Sequence, residues 1–193
     1  MKQEAIEYLV EELVSGDDDR AEVASRQLAE LGSAALPCLE KLLDHANPDH
    51  RWWAIRTLSQ IADPRVPKLL LKAFHDPEPP VRHCAALAMR YQPDPRAIPD
   101  LIAVLSDTDR LLAHLAADAL TAIGKEAVPS LLETIKKGSH AARLESVRAL
   151  SKIGDRRAIP TLFGILNGDS ALLEHWADQG LDNLGLGTVF FKP

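Results

Sequence analysis

Aromatic residues and cysteines are scarce in this sequence. Aromatic side chains make up 5% of the 193 residues, and the chain has only two cysteines, Cys38 and Cys84. So few aromatic residues are expected of closely packed helices rather than of a sheet. Two cysteines at unrelated positions cannot build a disulfide framework, and this usage is typical of a reducing compartment.

Positive charge and long apolar runs are also lacking. The formal net charge is −6 at pH 7, so the chain as a whole does not have the basic surface of a nucleic-acid binder. No run approaches the ~20 apolar residues of a membrane span. The first residues, MKQEAIEYLVEEL, lack the continuous apolar core of a signal peptide. We therefore expect a cytoplasmic protein that binds neither nucleic acid nor a membrane.

Motifs for catalysis and metal binding are missing as well. The sequence has no HExxH, no Cys-x-x-Cys, no glycine-rich phosphate loop and no G-x-S-x-G. Among seven histidines, His83 and His114 make the best metal candidates, but no carboxylate lies in register with them. Cys38 follows a proline at a helix start, and we interpret it as a small residue at a tolerant position. We expect no metal and no cofactor, and whether the chain is an enzyme stays open.

What the sequence does contain is a repeated unit of two short amphipathic helices, cleanest in residues 139–169. An aliphatic residue followed by proline recurs with successive prolines 30, 32, 30 and 31 residues apart. Proline fits the first turn of a helix, so each pair marks where the second helix of a unit begins. The pairs are Leu36-Pro37, Val66-Pro67, Ile98-Pro99, Val128-Pro129 and Ile159-Pro160.

Two further landmarks keep the same phase. One is an inward apolar position on the first helix of each unit, held by Leu28, Leu58, Met89, Leu120, Leu150 and Leu181. The other is a glycine that ends the first helix, found at Gly32, Gly124, Gly154 and Gly185. Neither helix of a unit can bury its apolar stripe alone, so the units must stack on one another.

The repeats predict an all-α fold, a right-handed α-solenoid of about five and a half two-helix units, as a single domain over residues 1–193. We expect a bend or looser joint in the third unit, because proline-rich segments flank its first helix. The C-terminal Val189, Phe190 and Phe191 are expected to cover the last exposed groove. The predicted segments are a capping helix (1–16), units at 17–46, 47–76, 77–107, 108–138 and 139–169, and a half-unit with a cap (170–193).

Residues 76–107 carry a family resemblance. The stretches DPEPPVRHCAALAM and DPRAIPDLIAVLSD resemble the short HEAT-type repeat of phycobilisome lyases, and the similarity extends over about residues 17–185. It implies a bilin lyase, isomerase or bilin-releasing factor that holds a linear tetrapyrrole and a phycobiliprotein in its groove. Iron-dependent hydroxylases are built from similar repeats but hold iron through His-Glu pairs. No such pair occurs here, so their activity is not expected.

The second helices are expected to form a concave groove. Positions that point away from the apolar stripe make its N-terminal end basic, which favours an acidic segment of a partner protein. The alternative is that these lysines are solvated and bind nothing. The groove candidates are Lys41, Lys68, Leu71, Lys72 and His75.

The first helices are expected to present a convex stripe. A residue two positions before an inward alanine lies about 160° around the helix and should face solvent. An aligned row that includes a tryptophan favours a protein contact, either self-association or a partner. The alternative is that helix tilt places these side chains between units. The stripe candidates are Trp52, His83, Leu87, His114 and Leu144.

Three arginines, Arg51, Arg82 and Arg143, recur near acidic turns and predict a ladder of ion pairs between units. The sequence thus favours a non-catalytic scaffold or adaptor that binds a protein partner through the surfaces of a helical repeat. The bilin-lyase function implied by the family resemblance is the alternative, with a linear tetrapyrrole as its ligand.

Overall fold

The computed structural model describes residues 2–168 and 170–187, and within these ranges every regular element is a helix. The all-helical prediction of about twelve helices is confirmed. The α-helices are α1 (Lys2–Leu13), α2 (Asp18–Leu31), α3 (Leu36–Leu42), α4 (Pro48–Leu58), α5 (Val66–Ala73), α6 (Pro79–Tyr91), α7 (Ile98–Ala103), α8 (Arg110–Ile123), α9 (Val128–Lys137), α10 (His140–Ile153), α11 (Ile159–Ile165) and α12 (Ala171–Asn183). The predicted cap at Val189, Phe190 and Phe191 lies outside the described residues.

The helices form two compact groups of several repeats each, with the boundary between Gln92 and Pro93. We call these groups the first unit and the second unit, and we call the two-helix sequence units repeats. In the first unit, α2, α4 and α6 stack in chain order, α1 packs on α2, and α3 and α5 pack beside the stack. In the second unit, α10 packs between α8 and α12, while α7, α9 and α11 lie beside them. The boundary falls in the repeat whose sequence is the least regular, and a single continuous domain stays a prediction.

The local signals in the sequence set the helix ends. The side chains of Asp17, Asp109 and Ser139 each accept a hydrogen bond from a backbone N–H in the first turn of α2, α8 and α10. At the other end, Gly124 and Gly154 have φ values of 79° and 65°. Glycine adopts this left-handed region without the cost that a Cβ imposes, which explains its place at these helix ends.

The predicted inward positions form the core. Leu28, Leu58 and Leu120 are fully buried, and Met89, Leu150 and Leu181 are at most 3% exposed. On the second helices, the leucine two residues after the proline is also expected to point inward. It is fully buried in four repeats, but Leu69 is half-buried and Leu70 is fully buried instead. The buried Leu39, Leu70 and Leu101 are 31 residues apart, whereas Pro67 follows Pro37 by only 30, so this proline lies one residue early relative to the buried face.

A short Asp-x-Arg sequence recurs in the turns that lead into α5, α7 and α11. In each copy the Asp side chain accepts the backbone N–H two residues on and pairs with the guanidinium of the arginine at that position. We call this arrangement the Asp-x-Arg clasp. Its three copies are Asp63 with Arg65, Asp94 with Arg96, and Asp155 with Arg157.

Part of the predicted arginine ladder is present in the first unit, where Arg51 forms an ion pair and both Arg51 and Arg82 donate to backbone carbonyls of the preceding turn. Arg51 pairs with Asp76, and its Nη1 also donates to two backbone carbonyls in the preceding turn. Arg82 repeats the second feature, since its Nη1 donates to the carbonyls of Asp76 and Pro77. Arg143 is half-buried at the equivalent place on α10, and its pairing stays a prediction.

Candidate functional site

The predicted groove residues lie on α3, α5 and the turn after α5. Lys41, Lys68, Lys72 and His75 are exposed, and Leu71 is half-buried. Lys72 is not a free cation, because its Nζ lies 2.6 and 2.8 Å from the two carboxylate oxygens of Asp44. Both side chains of this ion pair stay exposed to solvent, so the solvated alternative for the lysines stays open.

Two basic side chains remain available on this face. Within the described part of the chain, no carboxylate pairs with Lys41 or Lys68. The face formed by α3 and α5 thus combines one surface ion pair with two unpaired ammonium groups, and the half-buried Leu71 lies between Lys68 and Lys72 in sequence. Such a face suits a ligand or a partner segment that carries carboxylates on an apolar body.

The predicted stripe residues are exposed to different degrees. Leu87 is 41% exposed and His114 is exposed. Trp52, His83 and Leu144 are half-buried, so they are less exposed than a solvent-facing column requires. Trp52 lies on α4, which packs between α2 and α6, and Leu144 lies on α10, which packs between α8 and α12, and this fits the alternative of side chains placed between repeats.

The exposed His114 also belongs to a polar network of the second unit. Its backbone carbonyl accepts a hydrogen bond from Arg148, and its Nδ1 lies 3.6 Å from a carboxylate oxygen of Glu145. Arg148 is 5% exposed and pairs with Glu145 and Asp118 at 2.8 and 2.7 Å. Burial alone would raise the pKa of Asp118, but the hydrogen bonds and positive charges of Arg148 and Lys152 together outweigh it and hold that pKa below its usual range.

A cavity of about 700 Å³ opens between the α1–α2 turn and the N-terminal half of α4. Trp52 lines it together with Trp53, whose ring centroid lies 5.0 Å away at an interplanar angle of 87°. We call it the Trp cavity. Its other lining residues are Leu13, Val14, Ser15, Gly16, Asp18, Glu22, Asn47, Asp49, His50 and Pro80. The sequence placed Trp52 on a surface but did not reveal this cavity; the adjacent tryptophans were the available signal.

A smaller cavity of about 370 Å³ lies between α4 and α6, lined in part by Cys84, Leu87 and Tyr91. Burial raises the pKa of the Cys84 thiol to about 12. A thiol with that pKa is almost wholly protonated at neutral pH, so Cys84 is not an activated nucleophile.

Metal-ligating side chains do not cluster in the described part of the chain. Over residues 2–168 and 170–187, no group of three or more His, Cys, Asp or Glu side chains could hold a metal ion. None of the helices in these ranges is long and apolar enough to cross a membrane. The candidate binding surfaces are the face of α3 and α5 and the two cavities, with the exposed side chains of Leu87 and His114 as separate candidates.

Comparison with known proteins identifies the repeat. A family model for HEAT repeats matches residues 6–90, 67–141 and 98–182. The chain is a HEAT-repeat protein. The predicted resemblance and the fold class of two-helix repeats are thereby confirmed.

The curated relatives of this HEAT-repeat protein fall into two groups. It is 39% identical over 92 residues to the phycocyanobilin lyase subunit beta of Nostoc sp., covering 47% of this chain and 46% of the relative. It is 44% identical over 84 residues to the bilin biosynthesis protein RpcF of Synechococcus sp., covering 43% and 40%. It is also 39% identical over 97 residues to deoxyhypusine hydroxylase-B of Oryza sativa, covering 49% and 32%. The chain spans less than half the length of each of these relatives.

Solved structures give the same picture. The complex of CpcE and CpcF of phycocyanin lyase from Nostoc sp. matches with a TM-score of 0.60 and 25% identity, covering 75% of this chain and 97% of that one. A designed armadillo repeat protein matches with a TM-score of 0.54 and 19% identity over 92% and 98%, which shows the fold alone. Of the two functional predictions, these similarities favour the bilin-lyase alternative over the scaffold.

Proposed function

We propose that this HEAT-repeat protein is a bilin-lyase-type subunit that binds a phycobiliprotein and helps to place a linear tetrapyrrole on it or remove one from it. The observation that carries the proposal is the similarity to bilin-lyase relatives in both sequence and structure. Because one of the matching structures is a complex of two lyase proteins, the proposal includes a second protein subunit as partner.

The face of α3 and α5 supports this function. A linear tetrapyrrole carries propionate groups on a flat, apolar body. Lys41 and Lys68 offer exposed ammonium groups for the propionates, and Leu71 offers apolar surface beside them. In this proposal the chain contributes binding and orientation, and Lys41, Lys68 and Leu71 hold the ligand against the acceptor protein.

A non-catalytic scaffold is the second candidate function, and one observation favours it. This chain is 39% identical over 92 residues to a bilin-lyase subunit, and it is also 39% identical over 97 residues to a deoxyhypusine hydroxylase. Repeat similarity alone therefore does not specify a bilin, because HEAT repeats serve unrelated activities.

Co-expression with a bilin-producing pathway, a phycobiliprotein subunit and a lyase-type partner subunit tests the proposal. We expect covalently attached bilin on the phycobiliprotein, detected by visible absorbance after denaturation, and only when this chain is present. Capture of the phycobiliprotein without any change in its bilin content would instead support the scaffold. Neither capture nor a change in bilin would overturn the proposed function.

A charge-reversal variant then locates the site. Lys41→Glu with Lys68→Glu should reduce bilin transfer at least about ten-fold if both lysines pair with propionates. The matched control, Lys125→Glu with Lys136→Glu, makes the same change in charge at exposed positions of the second unit. Equal activity of the two variants would place the bilin elsewhere.

A further inference from the structure

The Trp cavity has no place in the proposed function, and its lining is acidic. Asp18, Glu22 and Asp49 contribute carboxylates. Glu22 forms an ion pair with Arg56, whose Nη2 lies 3.1 Å from Glu22 Oε1. Among the residues that the structure describes, no basic side chain pairs with Asp18 or Asp49. Two negative charges of the cavity are therefore left uncompensated.

The one titratable base in the lining does not change this balance. Desolvation, and then the neighbouring His45, lower the pKa of His50. The imidazoles of His45 and His50 stack with ring centroids 4.2 Å apart. His50 is thus neutral at pH 7, and the cavity keeps its negative charge.

Two indole rings give the cavity walls that attract a cation. Trp52 and Trp53 meet edge to face at 5.0 Å and 87°, so their planes form two sides of a corner. The face of an indole ring attracts a guanidinium or ammonium group, and nearby carboxylates add to that attraction. An anion such as a propionate would meet Asp18 and Asp49 instead, which separates this site from the face of α3 and α5.

We propose that the Trp cavity is a docking site for a basic segment of a partner protein, with an arginine or lysine side chain inserted beside Trp52 and Trp53. Its volume of about 700 Å³ is large enough to hold one such side chain and part of the adjoining backbone. Charge complementarity with the two unpaired carboxylates selects the basic partner. This inference goes beyond the proposed function, and its test involves no bilin.

The test uses tryptophan fluorescence. The chain has three tryptophans, so Trp176→Phe leaves only the two that line the cavity. We expect a hexa-arginine peptide to change their fluorescence saturably at low ionic strength. The apparent affinity should fall on raising the salt to 1 M, because the attraction is electrostatic. A hexa-glutamate peptide should cause no saturable change.

Two variants in the same background assign the site. Asp18→Asn with Asp49→Asn should weaken hexa-arginine binding by about ten-fold or more, since it removes both unpaired carboxylates. The matched control, Glu11→Gln with Glu30→Gln, changes the net charge equally at exposed positions outside the cavity, and should stay within about two-fold of the parent protein. Thermal melting of both variants verifies that they are folded.

Three results would overturn the proposal. One is no saturable change with hexa-arginine at millimolar concentration. Another is equal weakening by the cavity variant and its control, which would mean that only net charge matters. The third is binding of N-acetyl-arginine amide as tightly as the peptide, which would make the site one for a small free ligand. None of these results bears on bilin transfer.

Discussion

Arg51 and Asp76 join the start of α4 to the turn after α5 through a two-pronged ion pair. Arg51 Nε lies 2.6 Å from Asp76 Oδ2, and Nη2 lies 2.8 Å from Oδ1. The two side chains are 10% and 8% exposed. Arg51 Nη1 also donates to the carbonyls of His45 and Ala46. One guanidinium therefore binds both the turn before α4 and the turn after α5.

Arg51→Ala should destabilise the first unit strongly. Removal of one partner leaves Asp76 buried without its counter-charge, which costs about 3–5 kcal/mol in comparable pairs. Arg51→Lys should recover only part of this, because an ammonium group cannot form the planar two-pronged contact. Chemical denaturation of the purified variants measures both effects.

The control for this prediction is Arg65→Ala. Arg65 pairs with Asp63, but its own side chain is 59% exposed, and exposed pairs contribute about 0–1 kcal/mol. If the two alanine variants unfold at the same denaturant concentration, the buried pair has no special role in stability.

Leu150→Ala should destabilise the second unit by about 2–5 kcal/mol, as expected for a fully enclosed leucine. Leu150 is 1% exposed on α10, which packs against both α8 and α12. Because neighbouring repeats share their interfaces, hydrogen exchange should become faster in α8 and α12 as well. Leu172→Ala, at a side chain that is 50% exposed, should change stability by less than about 0.5 kcal/mol. A Leu150→Ala variant that melts like the parent would contradict the buried position.

Alanine substitutions at two glycines, Gly180 and Gly164, are expected to change stability in opposite directions. A Cβ on Gly180 would lie 2.9 Å from Leu162 Cδ1 and 3.0 Å from the Cα of Ser151. Gly180→Ala should therefore cost about 1–3 kcal/mol, because the backbone of α10 cannot move away freely. Gly164 lies within α11 and a Cβ there meets nothing within 4 Å. Gly164→Ala should stabilise by about 0.5–1 kcal/mol. If both substitutions shift the melting temperature in the same direction, the close approach of α12 to α10 would be refuted.

The clasp of Asp155 and Arg157 predicts a specific pH dependence. Hydrogen bonds from the side chain and then the backbone N–H of Arg157 lower the pKa of Asp155 to about 2. A carboxyl whose pKa is lowered in the folded state stabilises the fold at pH values above its pKa in the unfolded chain, which is about 3.9. This stabilisation is lost as the pH falls towards 2.

A double-mutant cycle measures this dependence. Asp155→Asn and Arg157→Gln, singly and together, should show a favourable coupling at pH 7 that declines below pH ~4 and vanishes near pH 2. Asparagine keeps the oxygen that accepts the backbone N–H, so the cycle isolates the charge. A coupling that persists unchanged at pH 2 would show that the carboxylate charge is not involved.

The repeat architecture could be predicted from the sequence because its signals are local. A proline that begins a helix, a glycine that ends one and a leucine that recurs in phase each act within a few residues. Gly124, Gly154 and Leu120 accordingly lie where they were expected. The failure at Leu69 arose because the prolines were used as the register. The spacing of the prolines changes from 30 to 32 residues at this repeat, while the spacing of the buried leucines does not.

The binding surfaces could be predicted only in part, because they depend on contacts between distant residues. Lys72 pairs with Asp44, 28 positions earlier, which no helical periodicity indicates. The angle of Trp52 around α4 predicted an outer, solvent-facing position, yet its side chain is half-buried. The Trp cavity joins the α1–α2 turn to α4, and its acidic lining emerges only when these segments meet.

The Asp-x-Arg clasp has a consequence for how such a chain can grow. Its carboxylate, its backbone donor and its arginine all lie within three consecutive residues, so the ion pair forms within one repeat. In the copy at Asp155, Arg157 Nη2 also donates to the carbonyl of Lys125 in the preceding repeat. Gene duplication that inserts a whole repeat would carry the turn along intact, and recombination between repeats would preserve it. The buried pair of Arg51 and Asp76 also lies within one repeat, residues 47–76, but the same guanidinium donates to the carbonyls of His45 and Ala46 in the repeat before it. Insertion of a whole repeat would thus keep both kinds of ion pair, and only the hydrogen bonds that cross from one repeat to the next would have to form anew.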